Sequence, residues 1–559
     1  MADAWRSKDV WSSPAAACGR TTFKAFGLTD EDFQRPIIGI ANTYMEMGPA
    51  HFHLRHVADV VKAGVWQAGG TPLEFNSIAQ CPNHVEGRHG IRYDTPTRDV
   101  LAASIETCTE LHMFDGLVMI GTCDKIIPGF LLAAARLNLP TIIVPGGPMQ
   151  PGKFRGEYVM SDRLFTEGYA YEMGVSSMSL EELYEMENCA CPGAGACAVL
   201  GTANTGQCLA EALGLTLPGA GTAPAASSRR LWHAKNSGRQ IVKLVMEGIR
   251  ARNILTETSI TNAIKVLHAL GGSTNSVIHL LALVNELDLN HKIDVRTFDT
   301  LSQEIPCLTP IQPSGPFTIV DFDEAGGIQG LMKQLGSQLD LNVLTVTGKS
   351  LGENLESAAV NNQEVIRPLS NPLYKGGLAV LSGNLAKTAI ARPTVIAKEM
   401  LAHKGPARVF NAMEEAEEGI RNGRVRRGDI VIVRYEGPRG GPGLTDLLSV
   451  VSALKAKGLY TSCCLISDGK VSGFGQGPYI CQASPEAAVG GPLAIVQDDD
   501  LIEYDIPGRK LNLLVSDPEI KERLKNWKAP EPRVKRGILT LYAKLADPVE
   551  LGAGLNLKL

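Results

Sequence analysis

The sequence predicts an α/β protein with an N-terminal αβα layered domain, built on a parallel sheet, and a C-terminal β-barrel-like domain with flanking helices. Three observations predict this fold class. The 559 residues are too many for a single hydrophobic core. Between Arg35 and Val144, apolar strand-like runs alternate with segments of helical spacing, which is typical of βαβ units. Beyond Pro372 the chain is rich in short apolar runs separated by turns, as in β-barrels.

The N-terminal part alternates strands and helices in chain order. The predicted strands are Pro36–Ala41, Thr71–Ala79, Gly116–Gly121 and Thr141–Val144. The predicted helices between them are His53–Ala68, Thr97–Leu111 and Pro128–Asn138, and a mostly helical stretch follows over Glu182–Ile311. Ligands of parallel sheets bind beyond the carboxyl ends of the strands. The triplet Cys123, Asp124 and Lys125 directly follows such a strand and is a candidate site.

A polar stretch bracketed by Pro368 and Pro372 marks the boundary between the two parts. We therefore predict domains at residues 1–365 and 366–559. The C-terminal part is expected to contain a helix over Leu444–Lys457 and the strands Gly377–Leu381, Asp429–Tyr435, Thr461–Ser467, Leu493–Gln497 and Lys510–Val515.

Composition excludes several classes of protein. Lys and Arg number 54 against 59 Asp and Glu, so the net charge of −5 offers no basic surface for nucleic acid. With 44% hydrophobic and 20% charged residues, the chain is globular and not disordered. The start is charged, and no apolar run is long enough to span a membrane. We expect a cytoplasmic protein with no membrane partner.

Nine of the twelve cysteines fall into two groups. Six lie in apolar or helical stretches and are expected to be buried and unreactive: Cys108, Cys208, Cys307, Cys463, Cys464 and Cys481. Cys123, Cys191 and Cys197 are instead surrounded by Gly, Pro or turn residues, where ligands concentrate. Thiolates select iron–sulfur clusters, zinc or copper(I), and a structural zinc site would need a second CxxC pair.

Four motifs could carry chemistry, although each taken alone is compatible with an ordinary turn. They are Gly121–Pro128, Cys191–Cys197, Arg434–Pro442 with Glu436, and Ser467–Gly473 with Ser472. Together they resemble the IlvD/Edd family of iron–sulfur dehydratases, which includes dihydroxy-acid and sugar-acid dehydratases. Further segments extend the resemblance over nearly the whole chain: Arg35–Ile38, His51–Arg55, Pro145–Met149, Thr202–Leu215, Gly271–Asn275, Ala325–Ile328, Gly383–Ala386 and Ser484–Pro492.

The resemblance implies a role for individual residues. Cys123 and Cys197 match cysteines that ligate the cluster. Asp124 and Glu436 match carboxylates that hold a divalent cation, Mg²⁺ or Mn²⁺, and Lys125 matches a carbamylated lysine that bridges to it. Oxygen ligands suit such a cation, and a carbamate is an anionic ligand where an ammonium would repel the metal.

The resemblance also implies the reaction and the assembly. Ser472 matches the serine that takes the proton from C2 of a 2,3-dihydroxycarboxylic acid, while the cluster acts as Lewis acid for the departing hydroxyl. The product is a 2-keto acid, and the substrate is either a branched-chain dihydroxy acid or a sugar acid such as gluconate, xylonate, arabinonate or glycerate. Homodimers or homotetramers are expected.

Two positions depart from the family pattern. In members with a [2Fe–2S] cluster, a third cysteine lies where this chain has Ala50, which tilts the expectation towards a [4Fe–4S] cluster. The third ligand is then Cys191 or, as the less favoured alternative, Cys81. Pro82 falls on a position where many relatives have a metal-binding carboxylate. Glu86 is the preferred replacement on charge grounds, with Asn83, His84 or water as alternatives.

Two other functional classes remain open at this point. The departures at Ala50 and Pro82 are compatible with a catalytically silent relative that binds an acid. Cys189, Cys191 and Cys197 are compatible with a zinc or redox-thiol protein. The dehydratase is favoured by the joint presence of six residues that match the family: Cys123, Asp124, Lys125, Cys197, Glu436 and Ser472.

Overall fold

The computed structural model describes residues 5–558, so part of the charged N-terminal start lies outside the described residues. The strands β1 to β14, in chain order, are Ile37–Asn42, Thr71–Asn76, Gly116–Gly121, Thr141–Pro145, Gly152–Phe154, Glu157–Val159, Ala379–Leu381, Thr388–Ala391, Ala402–Phe410, Ile430–Val433, Cys464–Ser467, Tyr479–Ser484, Leu501–Asp505 and Lys510–Leu513. None of the helices in the described range is long and apolar enough to cross a membrane.

The helices α1 to α20, in chain order, are Ser7–Trp11, Ala17–Lys24, Leu54–Gln67, Asp94–His112, Ile126–Leu137, Ser161–Glu172, Leu180–Ala190, Thr202–Ala212, Ser228–Glu247, Ala251–Ile254, Glu257–Leu270, Asn275–Glu286, Val295–Glu304, Ile319–Glu324, Gly327–Leu335, Leu351–Asn354, Met413–Arg421, Leu448–Ala456, Asp517–Asn526 and Leu539–Leu545. The predicted helical stretch over Glu182–Ile311 corresponds to α7 to α13.

The N-terminal sheet is parallel and has the strand order β2-β1-β3-β4. Strands β1, β3 and β4 are buried along their whole length because helices cover both faces of the sheet. This confirms the α/β fold class. The carboxyl end of β3 leads directly into Cys123 and α5, and so the predicted triplet lies at the edge of the sheet where ligands bind.

The C-terminal sheet has eight strands in the order β14-β13-β9-β10-β11-β12-β8-β7. Strands β9 to β12 pair in parallel, and the outer pairs are antiparallel. Ser382, just after β7, bridges to β14: its N–H donates to the Arg509 carbonyl (3.0 Å) and its carbonyl accepts from the Leu511 N–H (3.0 Å). This bridge joins the two edge strands, and the sheet is the predicted barrel-like structure. The domain boundary between residues 365 and 366 stays a prediction.

Strand β10 contributes side chains to two separate hydrophobic clusters in the C-terminal part of the chain. Ile430 and Ile432 belong to a cluster with residues of β7, β13 and β14. Val431 and Val433 belong to a second cluster, with the buried faces of α17 and α18. Successive side chains of a strand point to opposite faces, so this one apolar strand serves both the barrel interior and the helices outside it.

One predicted strand is wrong. Leu493–Gln497 was expected to be extended, but Pro492–Ile495 forms a 3-10 helix with the proline in its first turn. Leu493, Ala494 and Ile495 are buried in the barrel core. A short apolar run indicates that a segment is buried. Over only four residues, however, its periodicity cannot distinguish a strand from a helical turn.

Helices α3 and α9 pack against each other at glycines. A Cβ atom on Gly64 would overlap the backbone carbonyl of Lys235, and one on Gly238 would overlap that of Val61. The backbones therefore approach more closely than any side chain would permit. This contact fixes α3, whose first turn follows the segment that carries Ala50.

We expect Gly238→Ala to destabilise the protein by about 1–3 kcal/mol, because the added methyl group meets backbone that cannot rotate away. Gly168→Ala is the matched control, since Gly168 lies in α6 and has open space around it. The control should be neutral or stabilising by up to about 1 kcal/mol, as expected for alanine in a helix. Denaturant unfolding of both variants measures the difference, and equal midpoints would contradict the close packing.

Candidate functional site

A single cavity brings together residues from both parts of the chain. It lies at the carboxyl end of β3 and is closed on its other side by the loop after β11. The residues that line it are Pro49, Ala50, Cys81, Pro82, Asn83, Glu86, Cys123, Asp124, Gly195, Ala196, Cys197, Val199, Gly201, Thr202, Ala203, Asn204, Ser472 and Phe474. Five of the predicted site residues are among them.

Three thiols face this cavity. The thiols of Cys81 and Cys123 are in hydrogen-bonding contact, and this contact together with burial raises the pKa of Cys123 well above its usual range. Burial raises the pKa of Cys197 to about 12, although the Ser161 hydroxyl lies 3.5 Å from its sulfur. Burial therefore favours the protonated forms of Cys123 and Cys197, and binding a metal would require the loss of their protons.

A buried cluster of charges lies beside the thiols. The ammonium of Lys125 contacts Asp124 Oδ2 (2.5 Å) and Asp94 Oδ2 (2.8 Å). The ammonium of Lys470, from the barrel, contacts the same Asp94 oxygen (2.8 Å) and Asp446 Oδ2 (2.5 Å). Both lysines are fully buried. The cluster therefore links the N-terminal sheet to the barrel through charges that no water screens.

The two lysines determine the ionisation of their neighbours. Burial alone would raise the pKa of Asp94, but Lys125 and Lys470 lower it to about 2. Burial raises the pKa of Asp124 above its usual range, because only Lys125 and Lys470 oppose it while Asp94 adds repulsion. Burial disfavours the charged form of Lys470, yet Asp446 and Asp94 raise its pKa overall. Asp94 is thus the carboxylate that these lysines hold in its charged form.

Glu86 lies in the cavity, where its Oε2 is buried without a hydrogen-bond partner. Burial, and then repulsion from Asp446, raises the pKa of Glu86 well above its usual range. An unpaired buried carboxylate oxygen is costly. Its position beside the acidic cluster makes Glu86 a candidate ligand for a cation.

Ser472 is held at the cavity by its backbone. Its N–H donates to Asp446 Oδ1 (2.8 Å), and its carbonyl accepts from the Gly475 N–H (2.9 Å). The next residue, Gly473, approaches Gly201 so closely that a Cβ would lie 2.7 Å from its Cα. These contacts hold the Ser472 backbone at the cavity that the three thiols, Asp124 and Glu86 also line.

Glu436 does not belong to this cavity, contrary to the sequence-based expectation. Its Oε1 accepts hydrogen bonds from Arg533 (2.7 Å), from the Met413 N–H (2.9 Å) and from Arg92 (3.4 Å). Two guanidinium groups therefore compensate the charge of this carboxylate through Oε1, whereas its Oε2 is buried without a hydrogen-bond partner. Asp446, ten residues further along the chain, does not line the cavity either, but its carboxylate joins the buried charge cluster through Lys470 and accepts from the Ser472 N–H.

Cys191 is likewise outside the cavity. It is exposed and follows the last residue of α7, at the start of the small-residue loop that carries Cys197 inward. The thiol that joins Cys123 and Cys197 at the cavity is Cys81.

Three charged residues of the cluster escaped the sequence analysis: Asp94, Asp446 and Lys470. Lys470 lies inside the Ser467–Gly473 motif, two residues before Ser472, and Asp446 immediately precedes α18, so both had a signal in their position. Asp94 had none, because it opens α4 in an ordinary helical pattern. Its role depends on the docking of the barrel, which local sequence does not reveal.

The donors suit two different kinds of metal group. Thiols line one part of the cavity and carboxylates another, which matches soft iron–sulfur and hard divalent-cation preferences. Within residues 5–558, no three His, Cys, Asp or Glu side chains converge as a preformed metal shell. In the acidic cluster, the ammonium groups of Lys125 and Lys470 lie between the carboxylates instead.

Comparison with known proteins adds an independent result. The family model described as dihydroxy-acid/6-phosphogluconate dehydratase N-terminal matches residues 35–354, and its C-terminal counterpart matches residues 364–553. Proteins named dihydroxy-acid dehydratase from Methanothrix thermoacetophila and Ignicoccus hospitalis are each 46% identical to this chain, over 99% of it and 100% of their own length. A protein of the same name from Pyrococcus furiosus is 46% identical, over 96% of this chain and 97% of its own. The chain therefore belongs to the dihydroxy-acid/6-phosphogluconate dehydratase family.

Proposed function

We propose that this protein removes water from a 2,3-dihydroxycarboxylic acid with a short branched aliphatic side chain, giving a 2-keto acid. The observation that carries the proposal is the single cavity that presents thiols, carboxylates and Ser472 together. Membership of a hydro-lyase family agrees with it. We propose an iron–sulfur cluster and Mg²⁺ or Mn²⁺ as cofactors.

Cys123 and Cys197 would hold the cluster, and Asp124, Asp446 and Glu86 would hold the cation. When bound, the cluster supplies a Lewis acid for the leaving hydroxyl, and the cation supplies positive charge beside the substrate carboxylate. The unpaired Oε2 of Glu86 supports this assignment, because a cation would satisfy it. Glu436 is not part of the proposal, since Arg92 and Arg533 already neutralise it.

Carbamylation of Lys125 would change the charge balance of the cluster. As an ammonium, Lys125 neutralises Asp94 and Asp124. As a carbamate it becomes an anion beside those same carboxylates, and only Lys470 remains positive among these groups. A divalent cation then compensates the excess negative charge, so the carbamate and the cation are expected to bind together.

Ser472 would act as the base. Its oxygen takes the proton from C2, the C–O bond at C3 breaks, and the hydroxyl departs as water once it gains a proton. The resulting enol gains a proton at C3 and becomes the ketone, so substrate equals product plus one water and no electron is transferred.

The apolar wall of the cavity supports an aliphatic side chain on the substrate. Val199, Ala203 and Phe474 lie on the same cavity as Ser472. Extra hydroxyl groups of a sugar acid would lose their hydrogen bonds to water against these side chains. Homodimer or homotetramer assembly and a cytoplasmic location stay predictions.

We expect the anaerobically purified protein to dehydrate 2,3-dihydroxyisovalerate at least about tenfold more efficiently than gluconate, xylonate or arabinonate, because each unpaired extra hydroxyl costs over about 1 kcal/mol. Glycerate has no extra hydroxyl, but it should also be a poorer substrate because it lacks the methyl groups that the apolar wall would contact. The measurement is 2-keto acid formation, compared as kcat/KM. A preference for gluconate or xylonate would transfer the proposal to the sugar acids. Absence of turnover with every acid, in protein that contains iron and sulfide, would indicate a catalytically silent relative.

Ser472→Ala should lower kcat by at least about a hundredfold while iron and sulfide content stay unchanged, because only the base is removed. Ser452→Ala is the matched control, since Ser452 is a buried serine of α18 that does not line the cavity. It should keep its activity. Normal turnover of the Ser472 variant would exclude this residue as the base.

Asp446→Asn and Glu436→Gln discriminate between the two carboxylates. Asp446→Asn should weaken Mn²⁺ binding by about tenfold or more, measured by electron paramagnetic resonance, because a ligand charge is lost. Glu436→Gln should keep Mn²⁺ affinity but lower stability by roughly 3 kcal/mol, because its arginines lose a buried partner. Loss of Mn²⁺ binding in the Glu436 variant alone would reverse the assignment.

A further inference from the structure

We propose that Cys81 is the third cysteine ligand of the iron–sulfur cluster, in place of a thiol at position 50. The inference rests on the proposed function, because it concerns the cluster that this function requires. It is carried by a juxtaposition: Cys81, Cys123 and Cys197 line one cavity, and Ala50 lies on the same wall.

Cys81 is the thiol that interacts with Cys123. It follows β2 in the N-terminal sheet, and Cys123 follows β3, so both lie beyond the carboxyl ends of strands that flank β1. Their thiols are in hydrogen-bonding contact, and neither is part of a disulfide. In a four-iron cluster each cysteine thiolate binds its own iron, so the sulfurs need to face a shared cavity and need not converge on one point.

The segment around Ala50 holds the two neighbouring cysteine loops in place. His51 Nε2 lies 3.1 Å from the carbonyl oxygen of Gln80, next to Cys81. The Pro49 carbonyl accepts a hydrogen bond from the Gly195 N–H (2.8 Å), in the loop that carries Cys197. Thus position 50 lies between the loops of the other two thiols, and a ligand moved from there to position 81 would stay on the same wall.

A glycine in the Ala50 segment makes room for Cys81. A Cβ atom at Gly48 would lie 3.0 Å from Cys81 Cβ and 3.8 Å from its sulfur. The Cys81 side chain therefore packs directly against the backbone that precedes Ala50. A larger residue at position 48 would push the thiol away from this position, and the small residues at 48 and 50 together leave the wall open to it.

Cys191 lacks these properties. It is exposed, it is not on the cavity, and it follows the end of α7, whereas Cys197 reaches the cavity six residues later. Among the described residues that line the cavity, Cys81, Cys123 and Cys197 are the only cysteines. Three thiolates would leave one iron of a four-iron cluster without a protein ligand, in a cavity that Ser472 and Glu86 also line.

The test compares Cys81→Ser with Cys191→Ser after anaerobic reconstitution with iron and sulfide under reducing conditions, which prevent a disulfide between Cys81 and Cys123. We expect Cys81→Ser to contain at least twofold less iron and sulfide than the wild-type protein and to lose most of its visible absorption. Cys191→Ser should match the wild type. Full cluster content in Cys81→Ser, or a loss confined to Cys191→Ser, would overturn the proposal.

Thiol alkylation of the wild-type protein gives a second readout that needs no variant. Mass spectrometry should find Cys81 modified at least tenfold more slowly in cluster-loaded protein than after removal of iron with a chelator, while exposed Cys191 reacts equally in both forms. Equal reactivity of Cys81 in the two forms would overturn the assignment. Failure of the wild type to retain any iron and sulfide would instead contradict the proposed function itself.

Discussion

The buried cluster of Asp94, Asp124 and Asp446 around Lys125 and Lys470 is the constraint on which the site depends. Asp94 and Lys125 belong to the N-terminal part, whereas Lys470 and Asp446 come from the barrel. A buried charge without its partner is strongly destabilising, although the intact network itself need not add stability. The barrel can therefore dock in only one register, and that register also brings Ser472 to the thiols.

Much of the fold could be predicted, because it is built from long periodic or continuous apolar segments. The parallel sheet and its helices agree with the expected segments to within a few residues, as in Gly116–Gly121. The strands of the barrel were harder to predict from the sequence. Strand β9 contains Gly405 and Pro406 and has mixed burial, so its sequence lacks a strand pattern. Leu493–Ile495 has the apolar pattern but forms a 3-10 helix, since tertiary packing decides the conformation of so short a run.

The residues of the site were likewise predictable only in part. Cys123, Asp124 and Ser472 were predictable because each directly follows a strand end in a motif of unusual composition, and the cavity contains all three. Glu436 and Asp446 are both carboxylates of one glycine-rich segment, and only the arginines that pair with Glu436 distinguish them. The sequence likewise does not decide whether Cys81 or Cys191 is the third cluster ligand. Sequence spacing favours Cys191, which is closer to Cys197, whereas distance across the sheet favours Cys81.

The negative charge of Asp94 and Asp124 can be compensated either by the ammonium of Lys125 or, if Lys125 is carbamylated, by a divalent cation. The two states differ in whether the site needs a metal ion. With Lys125 as an ammonium, Asp94 and Asp124 have their counter-charge and the cluster needs no cation. With Lys125 carbamylated, that counter-charge is replaced by another anion, so a divalent cation becomes the only group that can balance the site. Carbon dioxide and metal would then bind with positive coupling, because each removes the electrostatic cost that the other would meet alone. A cation bound in the second state would also give a partner to the buried Oε2 of Glu86, which has none among the protein groups around it.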